Sequence, residues 1–262
     1  MVTGATVRLT ASGLGCKHWP GCQPGNPFPQ QGFHSYIEFG NRIVAATVVV
    51  VTLAAWLGAR LTPSVSTRVR RLALFTFLAT FAQAPLGAIT VYYGLNPWLV
   101  LTHFLLSIVV LATAVLILLE AWDAPVEAVP ANLRRLALLV GASACVLIVT
   151  GTFATAAGAH PGSVDVARLG SFRTAVYIHV RATAVFGVAL AALSVWLLRR
   201  RGGFGFELVV LGVLGAQMAV GEIQYRADPQ WWVILIHVAL AATLWAATVA
   251  LVASLRAPSR IR

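Results

Sequence analysis

Seven long runs of apolar residues alternate with short polar gaps along this 262-residue chain. Each run is long enough to cross a hydrocarbon core of about 30 Å at a rise of about 1.5 Å per residue. Runs of this length with few charges are typical of transmembrane helices. The pattern predicts an all-α polytopic membrane protein in a lipid bilayer. The runs span roughly residues 36–60, 72–93, 98–120, 135–157, 174–198, 205–225 and 231–255.

The second half of the chain repeats the first. Five identical residues recur at one offset of 134 residues, without a gap. Such a repeat predicts two related four-helix halves, which we place at residues 1–131 and 132–262. The recurring residues are Gln83, Gly87, Ile89, Trp98 and His103, followed by Gln217, Gly221, Ile223, Trp232 and His237.

The first half begins later in the repeat than the second. Val149-Thr150-Gly151 ends the run 135–157 and leads into a glycine-rich loop, and Val2-Thr3-Gly4 also leads into one. The match predicts that the first helix is largely absent here and that the natural chain has eight spans. A genuine seven-span protein is the alternative.

Charge adds a prediction of sidedness. Only 10% of residues are charged, against about 25% in soluble domains, and the net charge is +11. The arginines cluster in short gaps, as the positive-inside rule produces, so we expect no nucleic-acid partner. We expect a multi-pass protein of a prokaryotic cell membrane, with its C-terminus cytoplasmic. The arginines assigned to the cytoplasmic side are Arg60, Arg68, Arg70, Arg71, Arg134, Arg135, Arg199, Arg200, Arg201, Arg256, Arg260 and Arg262.

Three histidines lie one to two turns inside apolar runs: His103, His179 and His237. Ionisable groups inside spans are rare and usually functional. A single one is equally consistent with a hydrogen-bonded core histidine, but three at one depth indicate cofactor ligation. Zinc would need further Cys, His or carboxylate ligands nearby. Haem needs one or two axial ligands and an apolar slot between helices, so haem fits best.

Polar residues early in the run 36–60 mark the matching first-half site. Asn41, a poor iron ligand, stands where the counterpart of His179 is expected. Glu38 shares its helix face and is a candidate for proton handling, or a carboxylate favoured by the helix dipole. Arg42 and Arg181 hold similar positions in the two halves. They could pair with haem propionates or anchor helix ends at the interface.

Cysteines mark the loop before the first run, which we place outside. Cys16 and Cys22 are close enough in sequence to close a small disulfide ring in an oxidising compartment. Two free thiols, or a metal pair with His18, are the alternatives, and a redox role is also open. Cys145 lies within the fourth run and is expected to be a small core residue.

Motifs along essentially the whole chain carry a family resemblance. They are Leu9–Cys16 followed by Trp19-Pro20, Ile37–Phe39 ahead of Arg42, Gly94–Pro97 ahead of His103, and the two Gln-to-His repeat segments. This set resembles haem A synthase. The resemblance implies eight spans in two four-helix halves and oxidation of the C8 methyl of haem O to a formyl group, giving haem A for terminal oxidases. It also implies that Cys16 and Cys22 are the family's outer-loop cysteine pair.

The resemblance further implies roles for individual residues. The second half would hold a haem b between His179 and His237. The first half would receive the substrate haem O, with one histidine at His103 and a conserved carboxylate at Glu38. Asn41 departs from the many members that carry a second first-half histidine, so we expect a weak or open axial position there.

Partners follow from the same reading. We expect haem O synthase and assembly factors of a terminal oxidase as partners, and an electron donor that the sequence does not identify. One rival interpretation is a non-catalytic b-type cytochrome, which would bind haem and modify none. Another is a haem-free transporter, although transporter repeats often run in inverted topology with sites at the midplane.

Overall fold

The structure, a computed structural model, describes residues 1–16, 18–19, 21–30, 32–163, 166–200, 204–227 and 230–256, with Phe204 described as backbone alone. Pro20, Arg201, Arg260 and Arg262 therefore lie outside the described residues. The helices are α1 (Val2–Leu9), α2 (Phe33–Leu61), α3 (Thr67–Tyr92), α4 (Pro97–Ala121), α5 (Ala131–Ala157), α6 (Phe172–Arg200), α7 (Phe204–Arg226) and α8 (Trp231–Ser254). Two short strands are β1 (Glu127–Ala128) and β2 (Leu255–Arg256).

Seven of the described helices, α2 to α8, are long and apolar enough to cross a membrane. This confirms the all-α polytopic class, and every helix end lies within five residues of the predicted run. The largest difference is at the start of α3, where Ser66 caps the helix by accepting a hydrogen bond from the Val69 amide. The arginines of that first turn are helical but polar, so hydropathy places the start too late.

Helices pack mainly against their neighbours in sequence. In the first half α3 contacts both α2 and α4, and in the second half α5 packs on α6 and α7 on α8. The halves meet where α4 contacts α8 and α5. At this contact the Trp245 indole N–H donates to the Ile108 carbonyl at 2.9 Å and is buried. A buried hydrogen bond between α8 and α4 therefore fixes the two halves against each other.

Short α1 adds a second link between the halves. It contacts both α2 and α8. Arg8 at its end donates to the Thr155 carbonyl of α5 at 3.4 Å, and Gly13 donates to the Gly162 carbonyl at 3.0 Å. Burial lowers the pKa of the Arg8 guanidinium to about 10, so it stays charged at neutral pH.

Opposite the cysteine loop, the arginine-rich helix ends converge. Arg134 donates to the carbonyls of Val252 and Leu255 at 2.5 and 2.6 Å, and Arg68 pairs with Glu120 at 2.8 Å. Strand β1 pairs in parallel with β2 beside these contacts. This two-residue sheet was not predicted, because strands so short leave no periodicity in the sequence. Which side of the membrane this end faces stays a prediction.

The expected core position of Cys145 is wrong. Its thiol is exposed on the outer face of α5, whereas the preceding Ser143 and Ala144 are buried. In a uniformly apolar run, the lipid-facing and buried faces of a helix have the same composition. Hydropathy therefore does not assign a face.

Candidate functional site

In the second half, a glycine lies against each of the two span histidines. A Cβ atom on Gly151 of α5 would come 2.8 Å from Cε1 of His179 on α6. One on Gly221 of α7 would come 3.2 Å from Cε1 of His237 on α8. Helix α5 also packs against α8, so the two notches lie in one helix bundle. The neighbouring helices thus form notches that seat two imidazoles in one region of the second half.

Thr150 contacts one ring nitrogen of His179. Its hydroxyl donates to the Val146 and Leu147 carbonyls, each at 2.9 Å, and lies 3.3 Å from Nδ1 of His179. In the tautomer protonated at Nδ1, the hydroxyl donates to these carbonyls and accepts a hydrogen bond from Nδ1–H. Nε2 then keeps its lone pair. A hydrogen bond of this kind orients a histidine that binds a metal through its other nitrogen.

In the first half a glycine again lies against a histidine, but an asparagine takes the place of the second histidine. A Cβ atom on Gly87 of α3 would lie 3.5 Å from Cε1 of His103 on α4. In the α1–α2 pair, a Cβ atom on Gly4 would lie 3.9 Å from Oδ1 of Asn41. Thr3 donates its hydroxyl hydrogen to the same oxygen at 2.8 Å. The contacts of Asn41 with α1 therefore match those of His179 with α5.

Orphaned polar atoms support ligand binding at both histidine notches. Within the described part of the chain, Nδ1 of His103 and Nδ1 of His237 are buried without a hydrogen-bond partner. Buried polar atoms are normally paired. Among the described residues, no group of three His, Cys, Asp or Glu side chains is arranged as ligands of a bare metal ion. Isolated imidazoles on adjacent helices with apolar surroundings fit haem, which needs only axial ligands.

Glu38 and Arg42 tie the cysteine loop to α2. The Glu38 side chain is 5% exposed, with Oε2 accepting the Cys16 N–H at 2.7 Å and Oε1 accepting from Arg42 at 2.5 Å. Arg42 also donates to the carbonyls of His18 and Gly21, both at 2.7 Å. Both carboxylate oxygens thus have protein partners, and the guanidinium bridges Glu38 to the loop.

The loop itself is closed covalently. Cys16 and Cys22 form a disulfide, as the sequence predicts, and both are buried. At Gly15 a Cβ atom would lie 2.5 Å from the His34 carbonyl oxygen, so the loop approaches α2 more closely than a side chain permits. Ser35 donates to the Gly15 carbonyl at 2.7 Å. The disulfide and these contacts therefore hold the described part of the loop against the start of α2.

Arg181 has different contacts from Arg42. Its guanidinium lies over the Tyr177 ring, 3.0 Å from the centroid, and donates to the Tyr177 carbonyl at 3.2 Å. The side chain is otherwise exposed. Similar sequence positions therefore give one arginine bound to a loop and one on the surface. Pairing of either with a haem propionate stays a prediction.

Sequence reasoning missed the polar side chains that form hydrogen bonds with Asn41, His103 and His179. Thr3 and Thr150 belong to a Val-Thr-Gly repeat visible in the sequence, but only the structure reveals what their hydroxyls contact. Ser107 was not singled out; it donates to the His103 carbonyl at 3.1 Å and accepts from Gln83 at 2.8 Å. An apolar cavity of about 230 Å³ also opens beside Thr150, between α5 and the first turns of α6.

Comparison with known proteins identifies relatives. The COX15-CtaA family model, described as cytochrome oxidase assembly protein, matches residues 28–249. The Heme A synthase of Bacillus pumilus is 32% identical over 127 residues, which cover 47% of this chain and 41% of the relative. That of Geobacillus kaustophilus is 32% identical over 148 residues, which cover 50% of this chain and 45% of the relative. That of Shewanella oneidensis is 27% identical over 165 residues, which cover 56% of this chain and 49% of the relative. The matched region thus spans less than half the length of these relatives, and no solved structure matches.

Proposed function

The chain belongs to the COX15-CtaA family of cytochrome oxidase assembly proteins, and from this premise we propose that it acts as a haem A synthase. It would oxidise the C8 methyl of haem O to a formyl group. The observation that carries the proposal is the recurring notch of a glycine against an imidazole, present in both halves. The names of the curated relatives support the same activity.

The second half is proposed to hold a resident haem b between His179 and His237. Thr150 keeps the Nε2 lone pair of His179 available, and the glycine notches hold both rings in place. Two imidazole ligands leave no open face, which suits a haem that relays electrons. When bound, this group supplies one-electron transfer. The protein supplies the ligands, their orientation and a dry environment.

The first half is proposed to bind substrate haem O at His103. Converting a methyl into a formyl group with water as the oxygen source (–CH₃ + H₂O → –CHO + 4 H⁺ + 4 e⁻) releases protons and electrons, so the site needs an acceptor for each. Glu38 shares the helix face of Asn41 and is proposed to accept protons. Arg42 and the Cys16 amide stabilise its charged form. Asn41, whose contacts with α1 match those of His179 with α5, would be a poor iron ligand, so His103 would be the strong ligand in this half.

One observation favours the rival b-type cytochrome. Both oxygens of Glu38 are used in fastening the cysteine loop, so its burial is explained without any catalytic step. The two proposals differ in product: the cytochrome binds haem and leaves it unchanged.

Extraction of haems from the purified protein decides between them. The chain is co-expressed with an enzyme that makes haem O, in a host that makes no haem A, and the haems are separated by chromatography and identified by mass. Hydroxylated or formylated haem supports the synthase. Haem b alone, with haem O untouched, supports the cytochrome.

The cellular setting is also proposed. The arginine-rich end would face the cytoplasm and the disulfide loop the outside, as the positive-inside rule and the redox preference of disulfides suggest. Haem O synthase would deliver the substrate, and terminal-oxidase assembly factors would receive the product. The redox partner that exchanges electrons with the site is unidentified.

A further inference from the structure

A groove of about 310 Å³ lies along the last turns of α6, at the end of the helix opposite His179. Spacings of three and four residues place its lining side chains on one face of the helix. Val195 is 47% exposed, so this face points away from the core of the bundle. The described residues that line the groove, which we call the α6 groove, are Ala192, Val195, Trp196, Arg199 and Arg200.

The α6 groove changes from apolar to cationic along its length. Ala192 and Val195 line the end nearer the middle of the span, and Arg199 and Arg200 line the end at the helix terminus. At about 1.5 Å per residue, this part of the helix covers about 12 Å. Trp196 lies between the two ends, and tryptophan is enriched where membrane hydrocarbon meets the headgroups. The order of these side chains matches the acyl chain, glycerol and phosphate of a phospholipid.

Neither arginine of the α6 groove pairs with a carboxylate among the described residues. Four other arginines do so. The next three residues in the sequence, 201–203, are Arg-Gly-Gly and carry no carboxylate. Arg200 instead lies over the Trp196 ring, 6.0 Å from its centroid, which holds its charge beside the groove. Two guanidiniums without a counter-charge favour an anion, and guanidinium binds phosphate through paired hydrogen bonds.

The end of α2 has a similar tryptophan–arginine pair in different surroundings. Arg60 lies over the Trp56 ring, 5.8 Å from its centroid. Trp56 also stacks on Phe77 of α3, with centroids 5.8 Å apart and an interplanar angle of 2°. Ala59 precedes Arg60, whereas Arg199 precedes Arg200. The first half therefore has the cation–π pair with one arginine fewer, and it provides an internal control.

We propose that the α6 groove binds an anionic phospholipid of the bilayer, with the phosphate at Arg199 and Arg200 and an acyl chain along Ala192 and Val195. Basic pockets beside membrane spans bind acidic lipid headgroups in this way. A zwitterionic lipid has the same phosphate, but its ammonium group is repelled by the two arginines. The site does not depend on haem binding or on the proposed synthase activity.

Native mass spectrometry of the full chain tests the proposal. The protein is purified in detergent, stripped of lipid and titrated with dioleoylphosphatidylglycerol or dioleoylphosphatidylcholine. The dissociation constant of the tightest-bound lipid is the readout. We expect phosphatidylglycerol to bind more tightly than phosphatidylcholine. The double variant Arg199→Gln/Arg200→Gln should weaken phosphatidylglycerol binding about thirtyfold, the factor expected for two arginines near an anionic lipid, and should change phosphatidylcholine binding little.

Two further variants separate the groove from general charge effects. Arg60→Gln/Arg135→Gln removes two exposed arginines from the same arginine-rich end of the molecule and should leave the affinity for phosphatidylglycerol unchanged. Ala192→Phe keeps every charge but fills the apolar end of the groove, so it should weaken phosphatidylglycerol binding. Circular dichroism and thermal unfolding check that each variant is folded.

Three results would overturn the proposal. Equal loss of phosphatidylglycerol binding in the two double variants would mean that the lipid responds to net charge alone. Equal affinity of the native protein for both lipids would exclude recognition of an anionic headgroup. Inorganic phosphate, compared with sodium chloride at equal ionic strength, should not displace the lipid. Full displacement would mean that the groove binds free phosphate. Unchanged binding in Ala192→Phe would contradict the position of the acyl chain.

Discussion

The helix pairs α1–α2 and α5–α6 both place a threonine and a glycine next to the first candidate ligand position. The interactions that hold the two helices of each pair together are different. In α6, Phe186, Leu190, Leu193 and Leu197 are fully buried. Within the described helix α2, by contrast, the buried side chains are the polar Ser35 and Glu38. Apolar side chains gain little from leaving lipid for a helix interface, so specific polar contacts carry more weight in α2. The second half is thus anchored by close packing, and the first by an ion pair and a closed loop.

The difference matches the roles proposed for the two halves. A resident haem benefits from a helix that is held by close packing, as α6 is between Ala182 and Leu197. A substrate haem must enter and leave, and a site anchored at one end by the cysteine loop leaves the rest of α2 free of close packing. The loop, the Glu38–Arg42 pair and Asn41 all lie at that anchored end.

The largest effect is expected from removing the ligands. His179→Ala or His237→Ala should abolish the bis-imidazole spectrum, because no other described imidazole lies in that notch. His103→Ala should leave that spectrum intact and lose haem O. Haem content and optical spectra of the purified variants measure this. Equal loss of both haems in all three variants would contradict the separate roles of the halves.

Next is the buried ion pair. Glu38→Ala leaves the Arg42 guanidinium uncompensated and should destabilise the protein by about 3 kcal/mol, a typical effect of breaking a buried pair. Glu38→Gln keeps an acceptor for the Cys16 amide and should fold, but should lose haem O conversion if Glu38 accepts protons. Thermal unfolding and extracted-haem analysis report on the two effects.

Glu222→Gln provides the matched control for that experiment. Glu222 pairs with Arg226 at the same four-residue spacing as Glu38 with Arg42, but both side chains of the Glu222–Arg226 pair are exposed. We expect no measurable change in stability or turnover. Full haem O conversion by Glu38→Gln would exclude the catalytic role and leave the loop-fastening role.

A smaller effect is expected at the notches. Gly151→Ala would place a Cβ atom 2.8 Å from the His179 ring and should displace it, lowering haem b affinity roughly tenfold or more. Gly87→Ala meets His103 at an ordinary contact distance of 3.5 Å and should be tolerated. Haem titration of the two variants compares their haem affinities. A larger loss of affinity in Gly87→Ala than in Gly151→Ala would contradict this prediction.

The smallest effect is expected at Arg181. Because its guanidinium stacks on Tyr177 at the surface, Arg181→Gln should change stability by less than about 0.5 kcal/mol. Arg42→Gln removes the contacts to Glu38 and to two loop carbonyls and should cost several times more. Thermal unfolding measures the loss of stability in Arg181→Gln and in Arg42→Gln. A shift in the haem b midpoint potential in Arg181→Gln would indicate that Arg181 contacts a propionate.

Hydropathy was sufficient to predict the seven long helices, and the repeat singled out the glycines and histidines of the notches without predicting that they touch. The offset of 134 residues pairs Gly87 with Gly221 and His103 with His237, and the structure brings each glycine against its histidine. The Glu38–Arg42 network could not be predicted in the same way. Its acceptors at His18 and Gly21 are backbone carbonyls, which every residue carries, so the sequence leaves no signal of them.

The most direct test of the account is the identity of the haems extracted from the native protein and from His103→Ala after co-expression with haem O synthesis. We expect haem b in both proteins, and hydroxylated or formylated haem in the native protein alone. Haem b accompanied by unmodified haem O in both would contradict the account, because it would mean that the first half neither selects nor oxidises its substrate.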